Sequence, residues 1–195
     1  MISDYGGKSL GWFTRSEVLE IQNHITAAVY SFTYAKEKPD SKIMPYELSH
    51  TFYIGMSGGL KEEYYFDRKN KHTGKGTLYT SFAKRNNFHW PFLERLNKKS
   101  PKKYRLFHEA YRTECTEGEV YQHIYVPVKE MQQKLLRCYL SKIESDFIYY
   151  YANRYEDVPM LNFAENGTIS RIFDVESVSA RYKEFVSQND LSEFL

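Results

Sequence analysis

Hydrophobic and polar positions along the chain form short strand-like runs separated by polar turns, followed by one long stretch with helical periodicity. Over residues 129–155, Leu136, Leu140, Ile143, Phe147 and Tyr151 recur at i, i+3, i+4 and i+7 spacings, which predicts a long helix and names its buried face. Near the start, Val18, Leu19, Ile21 and Ile25 have similar spacing, with Glu17 and Glu20 early in the segment, predicting a short helix within residues 14–25. Strand-like runs at 26–34, 50–57 and 120–126 are rich in β-branched and aromatic residues. The second ends in the turn sequence Gly55-Met-Ser-Gly-Gly59. Between the first two, Lys36 to Ser41 is too polar and Pro-broken to continue a strand, so a long loop joins them. Further helices are predicted over 60–71 and 81–96, the latter interrupted at Pro91. Residues 104–114 suit helix or strand equally. After a Pro-directed turn at 157–162, a strand at 168–173 and an amphipathic helix at 176–186 form an appended layer, an oligomer contact, or both.

These elements amount to one α+β domain over residues 1–195, with a core at about 26–163 and a C-terminal extension over 164–195. Hydrophobic and charged contents of 42% and 27% are those of an ordinary globular chain. The 18 tyrosines and 13 phenylalanines are unusual, but tyrosine serves cores, interfaces and base contacts alike, so the count selects no function. A net charge of +2 excludes a polycation and restricts any nucleic-acid surface to a local patch. Cys115 and Cys138 lack close metal spacing and fit a reducing compartment. No secretory leader is expected, and no apolar run approaches the roughly 18 residues of a membrane span, so the expected location is the cytoplasm.

No Ser-His-Asp, Cys-His or HExxH pattern stands out. The remaining chemistry lies in Tyr30 and Tyr53 on the first two strands, Arg68 and His72 four residues apart on the following predicted helix, Glu144 on the long helix and Asn162 in the closing turn. Singly, each has a plainer reading, as core aromatic, solvated helix face, salt-bridge partner or turn brace. Glu144 falls near the margin of the apolar face, where a carboxylate needs a basic partner or a metal ion. Together the set suits phosphodiester hydrolysis. One hard carboxylate is a common Mg²⁺ anchor, and an Arg fork matches phosphate geometry. A Tyr, with a free pKa of about 10, serves as base only with a nearby cation or with His72 to take the proton onward.

In this order the residues resemble the GIY-YIG nuclease superfamily. Ala28-Val29-Tyr30 stands where the family has Gly-Ile-Tyr, and Tyr53-Ile54-Gly55 matches the second signature. Arg68-x-x-x-His72 resembles the helix motif of its type II restriction endonucleases, Glu144 the metal-binding Glu, and Pro159-x-Leu161-Asn162 the terminal Asn motif. The first signature lacks its Gly, and the gap between signatures is long, as in restriction-type members. The resemblance implies a small central three-stranded antiparallel sheet flanked by helices, with extra terminal elements, and a metal-dependent double-strand DNA endonuclease, most simply a restriction enzyme. It implies Tyr53 as base or water-positioning phenol, Tyr30 and His72 assisting it, Arg68 on the phosphate, Glu144 on one Mg²⁺ (or Mn²⁺), and Asn162 bracing the site. The loop 35–46 and the basic residues Lys69, Lys71, Lys75, Lys84, Arg85, Lys102 and Lys103 are candidate DNA contacts. A palindrome-reading enzyme implies a homodimer, and a restriction role a partner DNA methyltransferase. The alternatives are a homing, phage or repair nuclease, and a non-catalytic DNA-binding or interaction protein on the same fold.

Overall fold

In a computed structural model, the described residues are 6–58, 82–83, 86–87, 89–90, 118–127, 133–160, 162 and 187. The run Ala-Val-Tyr-Ser-Phe-Thr-Tyr-Ala forms strand β2 (Ala28–Ala35) and is buried at all but its last residue. Such a strand has no solvent face, so it belongs inside a sheet covered on both sides. It is flanked by β3 (Thr51–Ser57) and β4 (Glu119–Pro127), both antiparallel to it. A further strand, β1 (Gly7–Phe13), pairs antiparallel with β4, giving the order β1-β4-β2-β3.

Among the described residues the sheet therefore has four strands where the resemblance implies three. The Gly-Lys-Ser-Leu-Gly-Trp-Phe sequence of β1 is diluted by small and polar residues, and pairing with β4 outweighs its weak local preference. The α+β class and the antiparallel sheet otherwise agree with expectation.

Side chains of β2 alternate between two layers. Tyr30, Phe32 and Tyr34 join Val18, Ile25, Phe52, Phe82, Trp90 and Ile124 on one face. Val29, with Ile54 and Tyr125, faces the long helix α2 (Gln133–Tyr155) through Leu136, Leu140, Ile143, Phe147 and Ile148. The predicted buried stripe of this helix is the observed one. Its start is described from residue 133, and 129–132 lie outside the described residues.

The leading helix is shorter than predicted. Helix α1 (Arg15–Ile21) is opened by a reciprocal Thr14–Glu17 capping box and gives way to a 3₁₀ turn at Gln22–His24. The long loop after β2 contains a second 3₁₀ turn, Pro45–Glu47, and is tied down by its carbonyls. Tyr151 and Tyr155 hydroxyls donate to the carbonyls of Ser49 and Glu47 at 2.7 and 2.6 Å, and the Trp12 indole donates to Ile43 at 2.9 Å. Several tyrosines thus act as polar-tipped packing residues. At its exposed start, Lys38 pairs with Glu17 at 2.7 Å and holds that carboxyl below the usual carboxylate range.

At the end of β3, Gly58 has φ +94°, and a Cβ there would lie 2.6 Å from that of Ala27. Only glycine accepts both the left-handed backbone and this close approach. Among the described residues, no helix is long and apolar enough to cross a membrane. The predicted helix at 60–71, the ambiguous run at 104–114 and the appended strand and helix at 168–173 and 176–186 fall outside them.

Candidate functional site

The pairing of β2 with β3 sets Tyr30 opposite Gly55 and Phe32 opposite Tyr53. Both tyrosines therefore stand on the same face, and their rings lie 6.1 Å apart between centroids. The register shifts between Phe32 and Thr33, so Phe52 also turns to this face and stacks on Phe32 at 6.0 Å. Tyr53 folds back along its own strand over Gly55. An added Cβ at Gly55 would lie 2.7 Å from both Cε1 and the hydroxyl of Tyr53. The Tyr-Ile-Gly sequence is thus a steric unit, in which the glycine makes room for the phenol two positions earlier.

A third group completes the cluster. Phe82, Ala83, Asn86, Asn87, His89 and Trp90 are helical, and His89 turns toward the tyrosines. Its Nε2 lies 3.0 Å from the Tyr30 hydroxyl, in a buried hydrogen bond. The His89 ring is 5.1 Å from Tyr53 and 5.8 Å from Tyr30. Tyr30 and His89 are only 1% and 4% exposed, whereas Tyr53, on the outer strand, is half-buried. The phenol at the rim is therefore backed by a buried phenol–imidazole pair.

Asn162 acts from the opposite end of the chain. Its Oδ1 accepts from the Ile54 amide at 2.8 Å, and its Nδ2 donates to the Ile54 carbonyl at 2.6 Å. A carboxamide has the donor and acceptor of one peptide unit, so this single side chain takes the place of a neighbouring strand beside β3, which among the described residues borders the sheet. It braces the strand carrying Tyr53, while its own amide closes the turn on Pro159 at 2.8 Å.

Glu144 is half-buried on α2, whose packed residues cover the face carrying Val29 and Ile54. The helix that carries Glu144 and the tyrosines thus pack on opposite faces of the sheet, and β3, an outer strand among the described residues, contributes side chains to both layers. Among the described residues, no group of three or more His, Cys, Asp or Glu side chains is placed to hold a metal ion.

Arg68, His72 and all seven basic candidates, Lys69, Lys71, Lys75, Lys84, Arg85, Lys102 and Lys103, lie outside the described residues. In the loop 35–46, Ile43 is held by Trp12, and the Tyr46 ring packs on Phe147 and Tyr150.

His89 was not among the residues singled out by sequence reasoning. The signal was present, because Arg85-Asn-Asn-Phe-His89 repeats the Arg-x-x-x-His spacing of residues 68–72. Another buried histidine, His123, lies away from this cluster. Its Nε2 is 2.9 Å from Ser9 Oγ, and burial pushes its pKa down to about 3. Comparison of the chain with protein-family models, with curated proteins and with solved structures gives no match.

Proposed function

We propose that this protein is a divalent-metal-dependent endonuclease of double-stranded DNA, resembling the restriction-type members of the GIY-YIG superfamily. The observation that carries the reading is the junction of Tyr30, Tyr53 and His89 on one strand pair, with the Tyr53-Ile54-Gly55 strand held by Asn162. Two motifs separated in sequence thus supply one phenol at the rim and one buried phenol bonded to an imidazole.

In this reading Tyr53 orients the attacking water and relays its proton: the phenol takes the water's proton as it gives its own to Tyr30, whose hydroxyl proton passes to His89 Nε2, leaving hydroxide at the phosphate, two neutral phenols and an imidazolium. His89 takes the part assigned above to His72. By the same spacing, Arg85 takes the phosphate-binding part assigned to Arg68. The half-buried carboxylate of Glu144 has the donor chemistry one Mg²⁺ or Mn²⁺ requires. When bound, that ion would neutralise charge on the scissile phosphate. Lys69, Lys71, Lys75, Lys84, Lys102 and Lys103 remain candidate backbone contacts, and a homodimer in the cytoplasm with a partner methyltransferase belongs to the same reading.

One observation favours a second reading, a non-catalytic DNA-binding or interaction protein. Tyr30 and His89 are nearly fully buried, as core residues that only hold the fold would be. Plasmid cleavage separates the two. The nuclease cuts with Mg²⁺ or Mn²⁺ and stops with EDTA, and Tyr53→Phe and Glu144→Ala reduce cutting at least a hundredfold. Absence of cutting across varied DNA, or unchanged cutting by Glu144→Ala, overturns it.

A further inference from the structure

The Tyr30–His89 contact joins a strand to a helical segment, so something must fix where that segment sits along and around the sheet. The hydrogen bond itself is one point of contact and leaves rotation about it open. A second attachment comes from the centre of the sheet. Gln122 lies on β4 directly opposite Phe32 and is fully buried. Its Nε2 donates to Asn86 Oδ1 at 2.7 Å, and its Oε1 accepts from the Trp90 indole at 3.1 Å. Asn86 and Trp90 are four residues apart and lie on either side of His89 in the sequence. One side-chain amide therefore grips the segment at two positions one helical turn apart, which fixes both its axial place and its rotation.

Among the described residues the Gln122 side chain has no further hydrogen-bond partner. Phe32, opposite it on β2, stacks on Phe52 and meets Trp90 edge-on at 5.3 Å, so the amide lies in an aromatic layer. A buried amide in an aromatic layer is costly unless every strong donor and acceptor is met. An apolar side chain of equal volume would serve packing alone.

We propose that Gln122 is a positioning residue for the candidate site, setting the helical segment so that His89 meets Tyr30 and Tyr53. The proposal rests on the reading of those three residues as the working cluster, and its test separates the two. In the full chain, ¹⁵N NMR of the His89 imidazole reports its bond to the Tyr30 hydroxyl, with Tyr30→Phe as the reference for loss. Gln122→Met moves the His89 signal toward that reference while cooperative unfolding is retained. Trp90→Phe and Asn86→Ala, each removing one grip, give smaller shifts, and they keep the test alive should Gln122→Met fail to fold. Leu140→Ala, a destabilising change in the α2 layer, leaves the signal in place.

Where the wild type cleaves DNA, Gln122→Met lowers kcat about ten- to a hundredfold with KM nearly unchanged, the size of effect expected from a small misplacement. An unmoved His89 signal in folded Gln122→Met, or an equal shift in Leu140→Ala, overturns the positioning role. Absence of cleavage by the wild type, with the signal behaving as described, overturns the nuclease reading and leaves the positioning role standing.

Discussion

Tyr30 and His89, 59 positions apart in the chain, share a buried hydrogen bond of 3.0 Å between hydroxyl and Nε2. Both residues are nearly fully buried, so the bond lies within the packed layer. Tyr30→Phe leaves a buried ring nitrogen without this partner and costs about 1–3 kcal/mol. Combined with His89→Ala, the two losses are not additive, with a coupling of roughly 0.5–3 kcal/mol. Denaturant unfolding of the four proteins in the double-mutant cycle measures it.

The packing of Tyr53 over Gly55 makes a second prediction. Gly55→Ala puts a methyl group against the phenol ring and costs about 1–3 kcal/mol, as overpacking does. In a Tyr53→Ala background the same substitution is much milder, because the obstructing ring is gone. Equal costs in both backgrounds, read from unfolding midpoints, would disprove the steric account.

At Asn162 the prediction turns on donor and acceptor chemistry. Asn162→Ala leaves the Ile54 amide and carbonyl unmet, at roughly 1–3 kcal/mol for each group that water does not reach. Asn162→Asp is worse than this side chain's size suggests, since a carboxylate cannot donate to the Ile54 carbonyl and repels it instead. Raising the stability of Asn162→Asp by acidification, through protonation of the new carboxyl, would identify that repulsion directly.

His123 predicts a pH dependence. Burial lowers its folded-state pKa from 6.5 to about 3. As pH falls below 6.5, the unfolded chain takes up the proton first, so the folded state loses ground. The stability present above pH 6.5 therefore declines toward pH 3, by up to about 1.4 kcal/mol per pH unit from this group. His123→Gln should flatten that slope over pH 4–6.5 relative to the wild type, whatever its effect on stability at neutral pH.

The sequence made the strongly periodic elements plain. The stripe Leu136, Leu140, Ile143 and Phe147 is the buried face of α2, and the aromatic runs around Tyr30 and Tyr53 form adjacent strands. Strand β1 was hidden because its formation is decided by β4, more than a hundred residues later, rather than by its own composition. The tyrosine pair could be anticipated from its motif; the histidine that meets it could not be chosen by spacing, since residues 68–72 and 85–89 share one pattern. Three-dimensional contact selects His89 for the tyrosines. The part played by Asn162 was legible only as bracing, because sequence does not reveal that its amide lies against Ile54, 108 positions away.

The amide of Asn162 also covers part of a sheet border. Among the described residues β3 forms an outer border of the sheet, and a bare border of this kind is a template on which strands of other molecules assemble. With one carboxamide meeting both peptide groups of Ile54 in buried hydrogen bonds, the midpoint of β3 offers no free peptide unit to a strand of another copy. Loss of that cover would therefore show first as concentration-dependent association, before the molecule loses its shape.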